Sequence, residues 1–152
     1  MNEKERTNSL FVKLFNGDPW IDVSIATVLT GINAAQAATK LFPTSNSIWE
    51  ITNHIINWRI TVLDRISGKI ITSPANNYFE PVTDQSENAW ADTIHRLNLT
   101  QKQWLDFLEK FDTAHFENIY PSNGMTYYEH IHGIIQHDAY HLGQIMLLSK
   151  QL

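Results

Sequence analysis

With 152 residues, 43% of them apolar, the chain is expected to form one domain, 1–152, with a full hydrophobic core. It contains no cysteine, which excludes disulfides, thiolate metal sites and cysteine nucleophiles, so a transition-metal site would have to use histidine and carboxylate. A net charge of −5, with no block of lysine or arginine, argues against a nucleic-acid partner.

The first residues, Met-Asn-Glu-Lys-Glu-Arg, lack the apolar centre of a signal peptide, and no stretch approaches the roughly eighteen apolar residues of a membrane span. The expectation is a cytoplasmic protein with no membrane partner. Residues 3–15 place Leu10, Phe11, Leu14 and Phe15 at helical spacing, predicting a short amphipathic helix that ends at Asn16-Gly17-Asp18-Pro19. Residues 21–41 repeat apolar or small residues at Ile21, Ile25, Val28, Ile32, Ala35 and Thr39, which predicts a first long helix stopped by Phe42-Pro43.

Ser47 with Glu50 three residues on has the pattern of a capping box, in which hydroxyl and carboxylate satisfy the free backbone donors of a first turn. It predicts a helix over 47–67 closed by Gly68, with Ile51, His54, Ile55, Trp58, Val62 and Arg65 along its inner stripe. His54 therefore interrupts an apolar face. Residues 69–84 show neither helical nor alternating periodicity, and a connection of this length usually crosses the end of a bundle or covers a site. Asp84 and Glu87 are then expected to cap a third long helix striped by Trp90, Ile94, Leu97, Gln101, Trp104, Leu108 and Phe111.

Residues 112–125, with Pro121 and Gly124, lead into a last helix over about 126–150, marked by Thr126 and Glu129 as another capping box. Its stripe is His130, Ile134, His137, His141, Gln144, Ile145 and Leu148. A single histidine on such a stripe is ordinarily a packed, hydrogen-bonded ring. A pair at i, i+4 is different, because the Cβ atoms stand roughly 5–6 Å apart and two buried imidazoles can close on one ion. His137 and His141 form that pair, and His54 is the third ligand sought. No window carries the alternation or hairpin turns of strands, so the expected architecture is four long helices plus a short N-terminal one.

On two segments, Ser-Ile-x-Glu-Ile-x-x-His at Ser47 to His54 and His-x-x-x-His-x-Gly-Gln-Ile at His137 to Ile145, the chain resembles the DinB-like (damage-inducible) superfamily. That resemblance covers nearly the whole chain and implies an all-α, up-down-down-up four-helix bundle, often a dimer, with His54, His137 and His141 holding a divalent metal. Members with known activity include thiol-dependent S-transferases and a thiol-dependent isomerase, and others are described as metal-dependent hydrolases.

Three imidazoles without a fourth protein ligand leave a coordination position for water or substrate, the arrangement of a catalytic metal. Zinc, nickel, iron and manganese all accept such ligands. The expected function is therefore a metal-dependent enzyme acting on a small molecule, either a transferase using a low-molecular-weight thiol or a hydrolase using metal-activated water. The alternative is a non-catalytic, metal-binding stress-response bundle protein. Around the metal, Glu50 and Asp138 are candidate carboxylates to support a ligand or act as base, and Gln144 is expected to hydrogen-bond within the pocket.

His130, seven residues and about 10.5 Å along the helix from His137, is too far for the same metal and is expected at the pocket mouth. His132 should point the other way, and His95 and His115 should be surface or capping groups. Trp58 is a candidate residue beside the metal pocket, expected to pack as core rather than to stack on substrate. His137-Asp-Ala-Tyr-His141 also looks like the metalloprotease His-Glu-x-x-His with aspartate for glutamate. The missing strands and the shorter carboxylate disfavour that reading. A homodimer is expected to use aromatic residues off the stripes, such as Trp20 and Trp49.

Overall fold

The structure is a computed structural model describing residues 1–152, and it is all-helical, as the periodicity requires. Helix α1 (Glu3–Asn16) opens on an Asn2–Glu5 capping box. Helices α2 (Ile25–Leu29) and α3 (Ala34–Ala38) have five residues each, and α4 (Ile48–Ile66), α5 (Glu87–Lys110) and α6 (Tyr127–Ser149) are long. A single turn of 3-10 helix (Thr113–His115) follows α5, and the one bridge, Ile119 to Thr126, pins the chain just before α6. No helix is long and apolar enough to cross a membrane.

The expected first long helix over 21–41 does not form. Its apolar spacing is real, since Ile25, Leu29, Ala34 and Ala37 are buried, but local chemistry cuts the segment in two. Gly31 sits at φ +86°, and Asn33 starts a new helix with its own capping box to Gln36. The hydroxyls of Thr30 and Thr39 bond back to the Ala26 and Ala35 carbonyls at 2.7 Å, closing each short helix. A Cβ at Gly31 would meet no atom within 4 Å. Gly31→Ala should therefore cost about 1 kcal/mol through backbone conformation alone, read from the urea midpoint. An unchanged midpoint would mean that the left-handed turn does not set the break.

The boxes at Ser47–Glu50 and Thr126–Glu129 start α4 and α6 where the sequence places them. The start of α5 differs: Ser86 is the cap, accepting from the Ala89 amide, while Asp84 accepts from the Ser86 amide. Glu87 reaches across instead to the Ala34 amide at 3.1 Å, giving α3 the anionic partner its N-terminus favours.

Helix α4 packs on both α5 and α6, and α1 packs on α5 and α6, so the four longer helices share one interior. That interior holds two clusters. One gathers Trp49, Trp90, Ile55 and Leu142, and the other Phe11, Trp104, Leu108 and Ile131, with the Phe11 and Trp104 rings stacked at 4.7 Å. Trp49 is thus a core residue, its indole N–H donating to Thr93 Oγ1 at 2.8 Å, and cannot serve as a surface aromatic for a dimer. Trp20 is 98% exposed.

Candidate metal centre

His54 faces inward from the second turn of α4, and His137 and His141 face it from successive turns of α6. One ring nitrogen from each lies within 4.8 Å of the others, and no carboxylate or fourth histidine joins the group. The hydrogen bonds decide which nitrogens are free. His54 Nδ1 lies 2.7 Å from the Asn77 carbonyl, which can only accept, so the proton is on Nδ1 and Nε2 carries a lone pair. His141 Nδ1 likewise donates to Gln144 Oε1 at 2.7 Å, and Gln144 is fixed in turn by donating to the Tyr140 hydroxyl at 3.1 Å.

Nε2 of His54 and Nε2 of His137 are 2.9 Å apart. Two nitrogens each about 2.0–2.1 Å from a common ion would be separated by roughly 2.9–3.4 Å for angles between octahedral and tetrahedral, so the spacing fits a shared cation. The protonation states fit as well, since ligation needs neutral rings. Burial, reinforced by the neighbouring imidazoles and offset by the bond to Asn77, pushes His54 down from 6.5 to about 4. Burial also lowers His141, against the bond to Gln144.

Unfolded His54 binds a proton near pH 6.5 and folded His54 only near 4, so the unfolded state holds more protons in between. The stability His54 contributes is whole above about pH 6.5 and is lost as pH falls toward 4, by about 2 kcal/mol between pH 7.5 and 5. Urea unfolding in chelator should show wild type losing that much more than His54→Gln over this range. Parallel pH profiles would contradict the buried, neutral ring.

The connection between α4 and α5 covers the histidines, one of the two roles its length suggested. Asn77 and Tyr78 take left-handed backbone angles, φ 53° and 62°, and turn the chain back over α4. This brings Phe79 flat onto His54, with centroids 3.9 Å apart and planes at 8°. Trp58 is held beside them by its N–H bond to Asn77 Oδ1 at 3.1 Å. It is half-buried in the wall of a cavity of about 410 Å³ over the histidines, not sealed in the core as expected. Asn46, Tyr140 and Gln144 complete that wall.

The two candidate carboxylates are engaged elsewhere. Glu50 is buried, but its Oε2 accepts from the Ser47 amide at 2.8 Å and its Oε1 pairs with Lys40 at 2.9 Å. Asp138 turns into the core, where its Oδ2 meets Arg59 Nε at 3.2 Å, both side chains all but inaccessible. Its Oδ1 lies 3.7 Å from His137 Nδ1, and neither of those atoms has a hydrogen-bond partner. At that distance there is no hydrogen bond, so Asp138 stands behind His137 as a carboxylate within a small ring shift of Nδ1 and does not face the cavity as a metalloprotease base would.

His130 is buried beyond the pocket mouth, with Nδ1 donating to the Thr126 carbonyl at 3.0 Å and Nε2 3.3 Å from the Asn123 amide nitrogen. His132 packs on Tyr128 at 4.2 Å, away from the cluster, and His95 and His115 are exposed. Asn77, Phe79 and Arg59 are the residues that the pattern did not reveal. Paired asparagines after Pro74 do signal a turn, but not the helix on which it lands.

No curated protein and no solved structure matches the chain. The family model of the DinB superfamily matches residues 24–145, which include α4, α5 and all three histidines, and the chain belongs to the DinB superfamily.

Proposed function

We propose that the chain is a divalent-metal-dependent transferase that activates a low-molecular-weight thiol at His54, His137 and His141 for attack on a small electrophile. A bound divalent ion would supply Lewis acidity, lowering the pKa of a thiol or water that reaches it. The residues do the rest. Asn77 and Gln144 fix the two ring tautomers, so that His54 and His141 offer Nε2 without reorientation. Phe79 and Trp58 form an aromatic wall beside the three histidines, against which the apolar part of a substrate can pack.

The observation that carries the choice of thiol over water is the engagement of both nearby carboxylates. A hydrolase gains from a base within reach of its water, yet Glu50 is held by Ser47 and Lys40 and Asp138 by Arg59. A thiolate is a strong nucleophile and needs no such base. Against the non-catalytic alternative stands the three-residue donor set, since a purely structural site favours a fourth protein ligand.

The test is to incubate metal-loaded protein with an electrophilic aryl halide and a panel of low-molecular-weight thiols, alongside ester and amide substrates, with His137→Ala as control. Metal-dependent conjugation with one thiol is expected. Hydrolysis without thiol would reverse the ordering, and inertness toward every substrate would favour the binding protein.

A further inference from the structure

Trp58 and His137 each line two cavities. One is the pocket over the histidines. The other, of about 310 Å³, lies toward the C-terminal end of α4 and the start of α6, with Val62, Ile134 and Met125 as apolar wall and Arg65 and His130 as polar wall. The indole and the imidazole are thus a partition shared by the metal centre and a second chamber.

Arg65 is the unusual group there. Its guanidinium lies 5.4 Å from the Trp58 ring and 5.4 Å from the Tyr120 ring, and its Nη2 donates to the Ile71 carbonyl at 3.1 Å and to Ser73 Oγ at 3.0 Å. Its other donors, on Nε and Nη1, bond to no protein atom, and Nε is buried without a partner. No carboxylate pairs with it, whereas Arg59, six residues earlier on α4, is paired with Asp138. A fixed, half-buried cation with free donors beside a cavity is a ready counter-ion for an anion that enters it. The one carboxylate on this cavity, Glu129, is exposed and has its Oε2 held by the Thr126 amide and hydroxyl, so it cannot fill that role.

We propose that this second cavity is the subsite for a carboxylate carried by the thiol substrate, with Arg65 as its counter-ion and with the substrate crossing to the metal centre along the shared edge of Trp58 and His137. The placement of the sulfur rests on the thiol-transfer reading, whereas the carboxylate site rests on Arg65 and the cavity. The thiol expected is therefore acidic and amino-acid-derived rather than neutral. Arg65 is a specificity residue with no part in the chemistry.

Two matched probe pairs separate the claims. In metal-loaded protein, N-acetylcysteine should bind roughly 10-fold tighter than N-acetylcysteamine, which lacks only the carboxylate, as expected for a charge-assisted bond. Arg65→Gln should abolish the preference, and Arg65→Lys, which keeps the charge, should retain most of it. Circular dichroism and metal content confirm that each variant is folded. Equal affinity for both thiols in wild type, or a preference that survives Arg65→Gln, would overturn the subsite. So would equal loss in the Lys and Gln variants, because Arg65 would then only anchor the loop at Ile71 and Ser73.

The second pair needs neither metal nor thiol. N-acetylalanine, but not N-ethylacetamide, should quench tryptophan fluorescence of metal-free wild type and not of Arg65→Gln. That response in a protein without conjugation activity would leave the subsite standing while the transferase reading fails. Conjugation without that response would remove the subsite alone.

Discussion

Purified protein is expected to hold about one divalent ion per chain, and His54→Ala, His137→Ala and His141→Ala should each weaken binding by roughly 100-fold or more. With only three protein donors, each removal takes a third of the set and leaves a neighbouring imidazole facing a gap. Gln144→Ala is expected to cost roughly 10–100-fold, because His141 loses the acceptor that holds its proton on Nδ1. His132→Ala, its ring packed on Tyr128, should change nothing. Elemental analysis after dialysis and competition with a chromogenic chelator compare the five variants with wild type. The melting temperature offers a second readout, since an ion at about 100 times its Kd adds roughly 2.7 kcal/mol to the folded state. Undiminished occupancy in His137→Ala would dismiss the site.

The parts of this centre that were legible in the sequence are those set within a single helix. A capping box fixes where α4 and α6 begin, and the helical period then decides that His54, His137 and His141 lie on inward stripes. Gln144 is one turn from His141 and follows from the same rule. The split of residues 21–41 was also written locally, in Gly31, Asn33 and the two threonines. A continuous apolar stripe masked it, because both short helices bury the faces that one long helix would have buried. The contributions of Asn77 and Phe79 could not be read, since a loop's landing point depends on left-handed angles at Asn77 and Tyr78 and on the helix it meets. Arg59 was hidden for another reason. A charged residue at the edge of a stripe reads as a solvated face, and only the partner on another helix shows that it is buried.

That partner makes the largest stability prediction. Arg59 lies where the two core clusters meet, its guanidinium 5.1 Å from the Phe15 ring of one and 5.8 Å from the Phe11 ring of the other. It donates to Gln101 Oε1 at 2.6 Å on α5 and pairs with Asp138 on α6, so one side chain ties α4 to both neighbours. Breaking a buried pair strands an uncompensated charge, and Arg59→Met or Asp138→Asn should each cost about 3–5 kcal/mol in urea unfolding. Replacing both, as Arg59→Met with Asp138→Leu, should recover most of that loss, because the desolvation of two charges roughly cancels their attraction. Stability and function should then part company. The double variant would keep its fold but lose the carboxylate 3.7 Å from His137 Nδ1, so its metal affinity should fall by roughly 10-fold or more. If either single variant costs less than about 1 kcal/mol, the pair does not hold the helices together. If the double variant binds metal like wild type, Asp138 belongs to the fold alone and His137 needs no support from behind.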